Sequence, residues 1–366
     1  MARDGGRART RRILVLRATN SPASRNDEEC LRARYDVRVF AVRLAPRWRL
    51  AVNMIALAAW LLPHVWRADG VFFRFADYYA ALPAFFARLF RRKLWIVIGG
   101  YDANWWPEYG YGVYQQPFRA RCVRYALRNA TTLLPVDESL DEGLNAYAFD
   151  PPRRNGVRVN VPGLRTPVVT LHDGFDGAFW SPEPAVPKEP LVFTTASVPQ
   201  GQPLAVRRRM ATLKGVPLLI EVARRMPGYR FAVAGPDRAA LPPEIDDVPP
   251  NMTFLGHLPL DELRQWYRRA RVYAHPSLTE GLPASVAEGM LCECVPVGSS
   301  VNGIPRLVGE TGLIVERPDV DAWVRAIEGA MRATTGPAAR QRILGTFSRE
   351  LRCARLREII EGDAAR

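Results

Sequence analysis

Two carboxylates, Glu280 and Glu288, stand with seven residues between them in the stretch HPSLTEGLPASVAEGM. Carboxylates accept hydrogen bonds from paired hydroxyls, such as those of a sugar ring or a ribose. Their neighbours add a second chemistry. Pro283 suits a first helical position, with its fixed φ and missing N–H. The helix expected behind it, Ala284 to Leu291, starts with free N–H groups and a partial positive charge. A phosphate is received readily at such a start, beside Leu282, Pro283, Ala284 and Ser285. Gly281 removes the Cβ where a ligand must approach the backbone closely. Glu280, in the turn, reaches groups above that phosphate, and Glu288, inside the helix, reaches along its side. The competing reading is one acid complementing the helix dipole and a second, solvated one.

Those groups need a strand to launch the turn and a second wall to close the site. Val272 to Ala274 is a short apolar strand before the turn, and Cys294-Val295-Pro296-Val297 reads as the strand after the helix. Together they are half of a βαβ unit. In the first half of the chain, Arg12 to Leu16 is a continuous apolar run, as a strand buried on both faces requires. The segment Arg17-Ala18-Thr19-Asn20-Ser21-Pro22 leaves its carboxyl end, where open α/β sheets place ligands. Further strands are expected near Val37 to Val42, over Gly70 to Phe75 and over Thr131 to Leu134. Helices are expected at Leu50 to Val65, Asp77 to Phe90 and Pro117 to Arg128. Leu94 to Ile98 is a strand that runs straight into Gly99-Gly100-Tyr101-Asp102. The glycine pair lets the backbone bend sharply and a ligand come close. Asp102 is expected to project into the cleft, with a turn cap as the alternative. The aromatic segment from Asn104 to Gln116 has the composition of a recognition loop. With Tyr101, the rings of Trp105 and Trp106 would stack on sugar faces or apolar chains.

A chain of 366 residues exceeds one ordinary core and suggests two domains of roughly 150–200 residues. The division falls at the linker marked by Pro182, Pro184, Pro187 and Pro190, giving residues 1–182 and 183–345. Residues 1–11 are expected to be a basic disordered arm, without the apolar h-region of a secretory signal. A hydrophobic share of 48% and a charged share of 24% are those of a globular protein. The net charge of +14 calls for nucleic acid, an anionic membrane surface or a polyphosphate ligand as partner. Arginine is scattered over both halves rather than set in one basic stripe, which argues against nucleic acid. Leu50 to Val65 is shorter than the ~20 residues of a spanning helix and is interrupted by Asn53, Pro63 and His64. It is read as a core-facing helix or, with Arg47, Arg49 and Arg67 at its ends, as one lying on a membrane surface. Arg91-Arg92-Lys93 complements a helix C-terminus or attracts anionic head groups. The five cysteines, Cys30, Cys122, Cys292, Cys294 and Cys353, are odd in number and unpaired in spacing, fitting a reducing cytoplasm and not a zinc site. Asp319-Val320-Asp321 is read as a helix cap rather than a metal motif.

The stretch HPSLTEGLPASVAEGM resembles the E-x7-E signature of retaining GT-B glycosyltransferases of family 4, the glycosyl transferases group 1. The following VPVGSSVNGIPRLVGETGLIV is similar to that family's strand, Gly-Ile-Pro and Thr-Gly-Leu turns. VPQGQPLAVRRRMATLKGVPLLIEVARRMPGYRFAVAGPD resembles its arginine and Lys-Gly section, and GGYD with PEYGYG resembles a subset of members. VVTLHDGFDGAFWSP is similar to the exit from the family's first domain, with Asp173 in place of the usual Asn. The resemblance implies an α/β protein of the GT-B type, with two Rossmann-like domains whose parallel sheets face across a cleft. It also implies a last helix, within 346–366, that crosses back onto the first domain. A nucleotide-sugar donor, an acceptor glycan or lipid-linked glycan, retained anomeric configuration and no metal or other cofactor follow from it. Glu280 would then hold sugar hydroxyls and Glu288 the ribose diol. Lys214-Gly215, with Arg208 or Arg209 just before, would clamp two phosphates with a mobile and a fork-shaped cation. The choice among Arg207, Arg208 and Arg209 stays open. Gly235-Pro236 would form another wall of the cleft. Many members carry a His near the first-domain glycines, and here Asp102 is the nearest candidate. Two rivals remain: another GT-B enzyme, such as a sugar-nucleotide epimerase, and a non-catalytic GT-B subunit binding membrane or a partner.

Overall fold

The computed structural model describes residues 10–42, 50–198, 203–236 and 247–365. Residues 1–9 of the expected arm, together with Arg47 and Arg49, lie outside the described residues.

The apolar runs of the first half form strands, buried on both faces except at the edge strand Asp36–Ala41. They are β1 (Arg12–Arg17), β2 (Asp36–Ala41), β3 (Gly70–Arg74), β4 (Lys93–Ile98) and β5 (Thr132–Pro135). All pair in parallel, in the order β2-β1-β3-β4-β5. Their crossovers are α1 (Pro22–Arg32), α2 (Leu50–Val65), α3 (Ala81–Leu89) and α4 (Pro117–Arg128). Asp77 does not open one long helix. Its side chain caps a 3-10 turn, Tyr78–Ala80, that leads into α3. No local pattern announces a small antiparallel hairpin, β6 (Gly143–Asn145) and β7 (Arg153–Asn155), or the short helix α5 (Val157–Asn160) that follows.

The second half holds β8 (Glu189–Thr195), α6 (Leu204–Leu213), α7 (Val216–Arg225), β9 (Arg230–Ala234), β10 (Met252–Gly256), α8 (Leu260–Arg269) and β11 (Ala270–His275). It continues through α9 (Ala284–Leu291), β12 (Val295–Ser299), α10 (Ile304–Val308), β13 (Leu313–Val315), α11 (Val320–Arg332) and α12 (Gly336–Thr346). The strand order β10-β9-β8-β11-β12-β13 reverses between β8 and β11. In a doubly wound sheet a ligand crevice opens at that reversal, outside the carboxyl ends. Thr195 and His275 end the two strands that flank it.

The last helix, α13 (Arg349–Ala365), packs on α1. Its Asp363 accepts hydrogen bonds from Trp95 Nε1 at 2.9 Å and Thr132 Oγ1 at 2.6 Å. A disulfide between Cys30 and Cys353 ties the same two helices, with Cα atoms 5.1 Å apart. This corrects the reading of the cysteines as an unpaired, reduced set. The two lie 323 residues apart, so no local spacing announces the pair. Cys292 and Cys294 are buried at the helix-to-strand junction, where the Cys294 thiol donates to the carbonyls of Tyr267 and Ala270.

Buried charge gathers at the reversal of the first sheet, between β1 and β3. Arg74, at the end of β3, donates to Asp27 of α1 at 2.9 Å and to Asp173 at 2.7 Å. Arg352 of α13 donates to Asp27 at 2.6 Å and lies 3.3 Å from Asp173. Burial alone would raise the Asp173 carboxyl, but the Arg74 and Arg352 guanidiniums hold it below its ordinary value.

Candidate active site in the inter-domain cleft

Glu280 leaves the turn after β11 and meets two groups of its own domain. Lys214 Nζ lies 2.5 Å from Glu280 Oε1, and His275 Nε2 lies 3.0 Å from the same oxygen. Lys214 ends α6, and Gly215 follows with a φ of 69° to open α7, a left-handed turn that glycine adopts without strain. Arg207, Arg208 and Arg209 all lie on α6. The Arg209 guanidinium leans across onto Gly110 of the aromatic loop, where a Cβ would collide with it. Arg207 and Arg208 are half-buried and engaged on the same helix.

Burial would raise the Glu280 carboxyl, but the Lys214 ammonium and the His275 hydrogen bond hold it well below the usual range. An ionised carboxylate only accepts, so His275 donates from Nε2. Its Nδ1 then faces the Tyr273 hydroxyl at 3.3 Å, and that hydroxyl contacts Thr195 Oγ1 at 2.9 Å. A chain of polar groups thus runs along the crevice between β8 and β11 and ends on Glu280. The sequence reading named His275 only as part of the turn. Its position at a strand end, five residues before Glu280, is the one available signal.

Glu288 stands half-buried on α9 and accepts from the Tyr267 hydroxyl at 3.2 Å. Burial pushes its carboxyl up to about 7, a rise that this hydrogen bond only partly offsets. With Ala284 it faces a cavity of about 220 Å3 whose other wall is Pro22, Arg25 and Asn26 of α1, above Asp173. The start of α9 therefore looks across the cleft at the start of α1. Ser285 stands half-buried on that first turn, and Leu282 and Pro283 are buried beside it.

The glycines behave differently from the expectation. A Cβ on Gly281 would overlap the Gly99 carbonyl oxygen, and one on Gly100 would stand 3.3 Å from the Glu280 carbonyl oxygen. At Gly99 the space is filled by the Phe75 ring. Here the missing side chains let the tips of the two domains touch, rather than admitting a ligand to the backbone. Gly235 has a φ of 112° and sits against the Ala196 carbonyl at the end of β8.

Asp102 does not project into the cleft. It is buried, and its Oδ1 accepts from the backbone of Gly99 at 3.0 Å and Gly100 at 3.1 Å, while Oδ2 accepts from Ala76 at 2.9 Å. Burial raises its carboxyl against those three donors. Asp102 is the residue that holds the glycine turn, through the backbone of Gly99 and Gly100. Trp106 is corrected in the same way. It is buried, and its indole donates to Thr279 Oγ1 at 3.1 Å beside Asn104 Nδ2 at 3.3 Å, so it bolts the first domain to the Glu280 turn. Tyr101 and Trp105 keep exposed ring surface. Tyr111, which the sequence reading did not single out, lies close enough to Glu280 for that charge to help raise its phenol above its ordinary range, after burial itself.

Further bolts join the domains around the same turn. Asn145 donates to the Leu278 carbonyl at 2.8 Å, and Asn302 spans from Ser139 to the Glu280 N–H. Arg306 pairs with Asp137 at 2.8 Å. Asp319 caps α11 by accepting from the Ala322 N–H at 2.7 Å.

Residues 204–332 match the family model described as glycosyl transferases group 1. Among curated proteins, the chain is 30% identical over 142 residues to the D-inositol 3-phosphate glycosyltransferase of Mycobacterium avium, covering 36% of this chain and 34% of that protein. The chain thus spans about a third of the length of the curated relatives it matches first. Among solved structures, sucrose-phosphate synthase from Thermosynechococcus elongatus superposes with a TM-score of 0.71 at 15% identity, covering 96% of this chain and 98% of that one. Anabaena HepE, solved with UDP and glucose, gives a TM-score of 0.67 at 14% identity, covering 96% and 100%. At these identities the superpositions speak for the fold alone, which is the GT-B arrangement of two facing α/β domains. The match to the glycosyl transferases group 1 model thus covers residues 204–332, in a chain with the GT-B fold.

Proposed function

We propose that the chain is a glycosyltransferase that moves a sugar from a nucleotide-sugar donor to an acceptor hydroxyl in the inter-domain cleft. The observation that carries this reading is Glu280 held ionised by Lys214 and His275, one turn from the start of α9. As the nucleoside diphosphate leaves, positive charge grows at the anomeric carbon and negative charge on the phosphates. Lys214 has donors beyond the one facing Glu280, and with Arg208 or Arg209 and the first N–H groups of α9 it would meet that negative charge without a metal. Glu280 would hold the sugar hydroxyls and Glu288 the ribose diol. Among the described residues no side chain beside Glu280 stands out as a double-displacement nucleophile, so retention would come from attack on the same face as departure. The acceptor is a glycan or lipid-linked glycan received near Tyr101 and Trp105, in keeping with polysaccharide assembly at the cytoplasmic side of a membrane. The M. avium relative acts on an inositol phosphate by its name, and the HepE structure holds UDP.

A thermal-shift panel of UDP, GDP, ADP, TDP and CDP, with and without magnesium, tests this directly. One diphosphate raising the Tm irrespective of magnesium is expected, because a ligand of the folded state stabilises it by mass action. No shift with any of them would favour the second reading, a non-catalytic subunit. That reading draws on Asp102, the candidate for the acceptor side, which is engaged by three backbone N–H groups instead.

Glu288 supplies a pH prediction. Only its ionised form accepts from both hydroxyls of a diol, and burial pushes its carboxyl up to about 7. The affinity for a nucleotide-sugar is therefore expected to rise with pH up to about 7 and then level off, at most about tenfold per unit. Isothermal titration across pH checks it, since the donor's diester phosphates do not titrate there. A profile that stays the same in Glu288→Gln would remove Glu288 from the donor site.

A further inference from the structure

We propose that the outward face of α2 and α3 is a docking surface for an anionic phospholipid bilayer. α2 is apolar on two sides. Leu57, Leu61 and Val65 are buried in the first-domain core, while Val52, Ile55, Leu62 and Trp66 are between 47 and 69% exposed. The spacing of the exposed set follows the helical period, so they form one stripe along the helix. No residue from Leu50 to Val65 is charged. α3 packs alongside and adds Phe85 and Leu89, one turn apart and also about half exposed. Between the two helices an open groove of about 630 Å3 is lined by Leu62, Pro63, Trp66, Phe90 and Arg92.

The rim of this face is cationic. Arg88 and Arg91 are exposed, Arg92 and Lys93 follow, and the Arg67 guanidinium lies 4.4 Å from the centre of the Trp66 ring. Residues 78–101 contain no Asp or Glu. A contiguous apolar stripe of this kind is uncommon on a surface that meets only water. Among the described residues no helix is long and apolar enough to cross a membrane, so the stripe would lie in the plane of the interface. There its apolar side chains enter the acyl boundary while the cations stay among the head groups. A second copy fits less well, because a self-complementary interface across a two-fold axis would bring two acid-free basic rims together. The core-facing reading of α2 holds for its buried side, and the membrane-surface reading is the one proposed for its exposed side. This surface does not depend on the transferase assignment.

The test is co-sedimentation of the full chain with vesicles of phosphatidylglycerol and phosphatidylcholine, against phosphatidylcholine alone, at low and high salt. Binding to the anionic vesicles that weakens with salt is expected, because exposed charges are screened within about a nanometre. Ile55→Glu with Leu62→Glu is expected to lower the partition by more than about tenfold. Arg91→Gln with Lys93→Gln is expected to lower it about fivefold per cation removed. Both double variants should keep the wild-type Tm and nucleotide response, which separates loss of the surface from loss of the fold. Wild type that stays in the supernatant at low salt, or variants that pellet like wild type, would overturn the proposal. So would wild type that elutes as a dimer and becomes monomeric in the Ile55→Glu, Leu62→Glu variant without change in vesicle binding.

Discussion

Glu280→Gln is expected to lower kcat by on the order of 10²-fold, the scale of removing one preorganised polar group from a reacting centre. Affinity for the free nucleoside diphosphate should fall much less than kcat, since Glu280 is assigned to the sugar and touches the nucleotide only through Lys214. The physical basis is the pairing at one oxygen, with Lys214 at 2.5 Å and His275 at 3.0 Å. Glutamine keeps the shape but not the charge. Lys214 then loses the partner that positions it, and the sugar hydroxyls lose their strongest acceptor. Stability should carry a signature too. The folded carboxyl titrates below its unfolded value of about 4.3, so its contribution is complete above that pH and is lost as pH falls toward the folded value. The wild type should therefore lose its margin over Glu280→Gln below about pH 4, read as Tm against pH. Turnover unchanged in the variant would place the chemistry elsewhere.

Asp27→Ala is expected to be the most damaging single change to the fold, costing about 3–5 kcal/mol. Asp27, Arg74 and Arg352 are each under 5% exposed, and the aspartate carboxylate touches both guanidiniums. Removing it leaves two buried cations sharing Asp173 alone, at 2.7 and 3.3 Å. An uncompensated buried charge is far more costly than the intact cluster is favourable. The cluster joins α1, β3, the exit from the first domain and α13, one turn from the Cys30–Cys353 bridge. Urea unfolding followed in parallel by fluorescence and circular dichroism checks the expectation, since two domains need not unfold together. A loss under about 1 kcal/mol would mean that water or relaxation already satisfies these arginines.

The elements that local pattern can specify were readable. β1 and β4 follow from uninterrupted apolar runs, and the bounds of α2 match its apolar stretch, because a segment buried whole carries its own signal. The turn around Glu280 was readable because proline, glycine and the following small residues specify a strand-turn-helix junction within a few positions. The β6–β7 hairpin was not, since its three-residue strands are held by neighbours instead of by periodicity. The disulfide and the charge cluster join residues hundreds of positions apart, and no spacing rule reaches that far.

What the sequence by itself determined is the pair of α/β domains and the local chemistry of the Glu280 turn, for burial pattern and turn residues act over short range. What only the tertiary structure decided is which way the polar groups face. Asp102 and Gly281 illustrate it. A carboxylate two residues after a glycine pair is the same string whether it points at a ligand or holds the turn, and three backbone N–H groups settle it here. A glycine in a turn is the same whether it admits a ligand or another chain segment, and the Gly99 carbonyl fills that space. Gly281 is decided by one domain resting on the other, while Asp102 is satisfied inside its own domain, because burial forces each polar group to pair with whatever lies beside it.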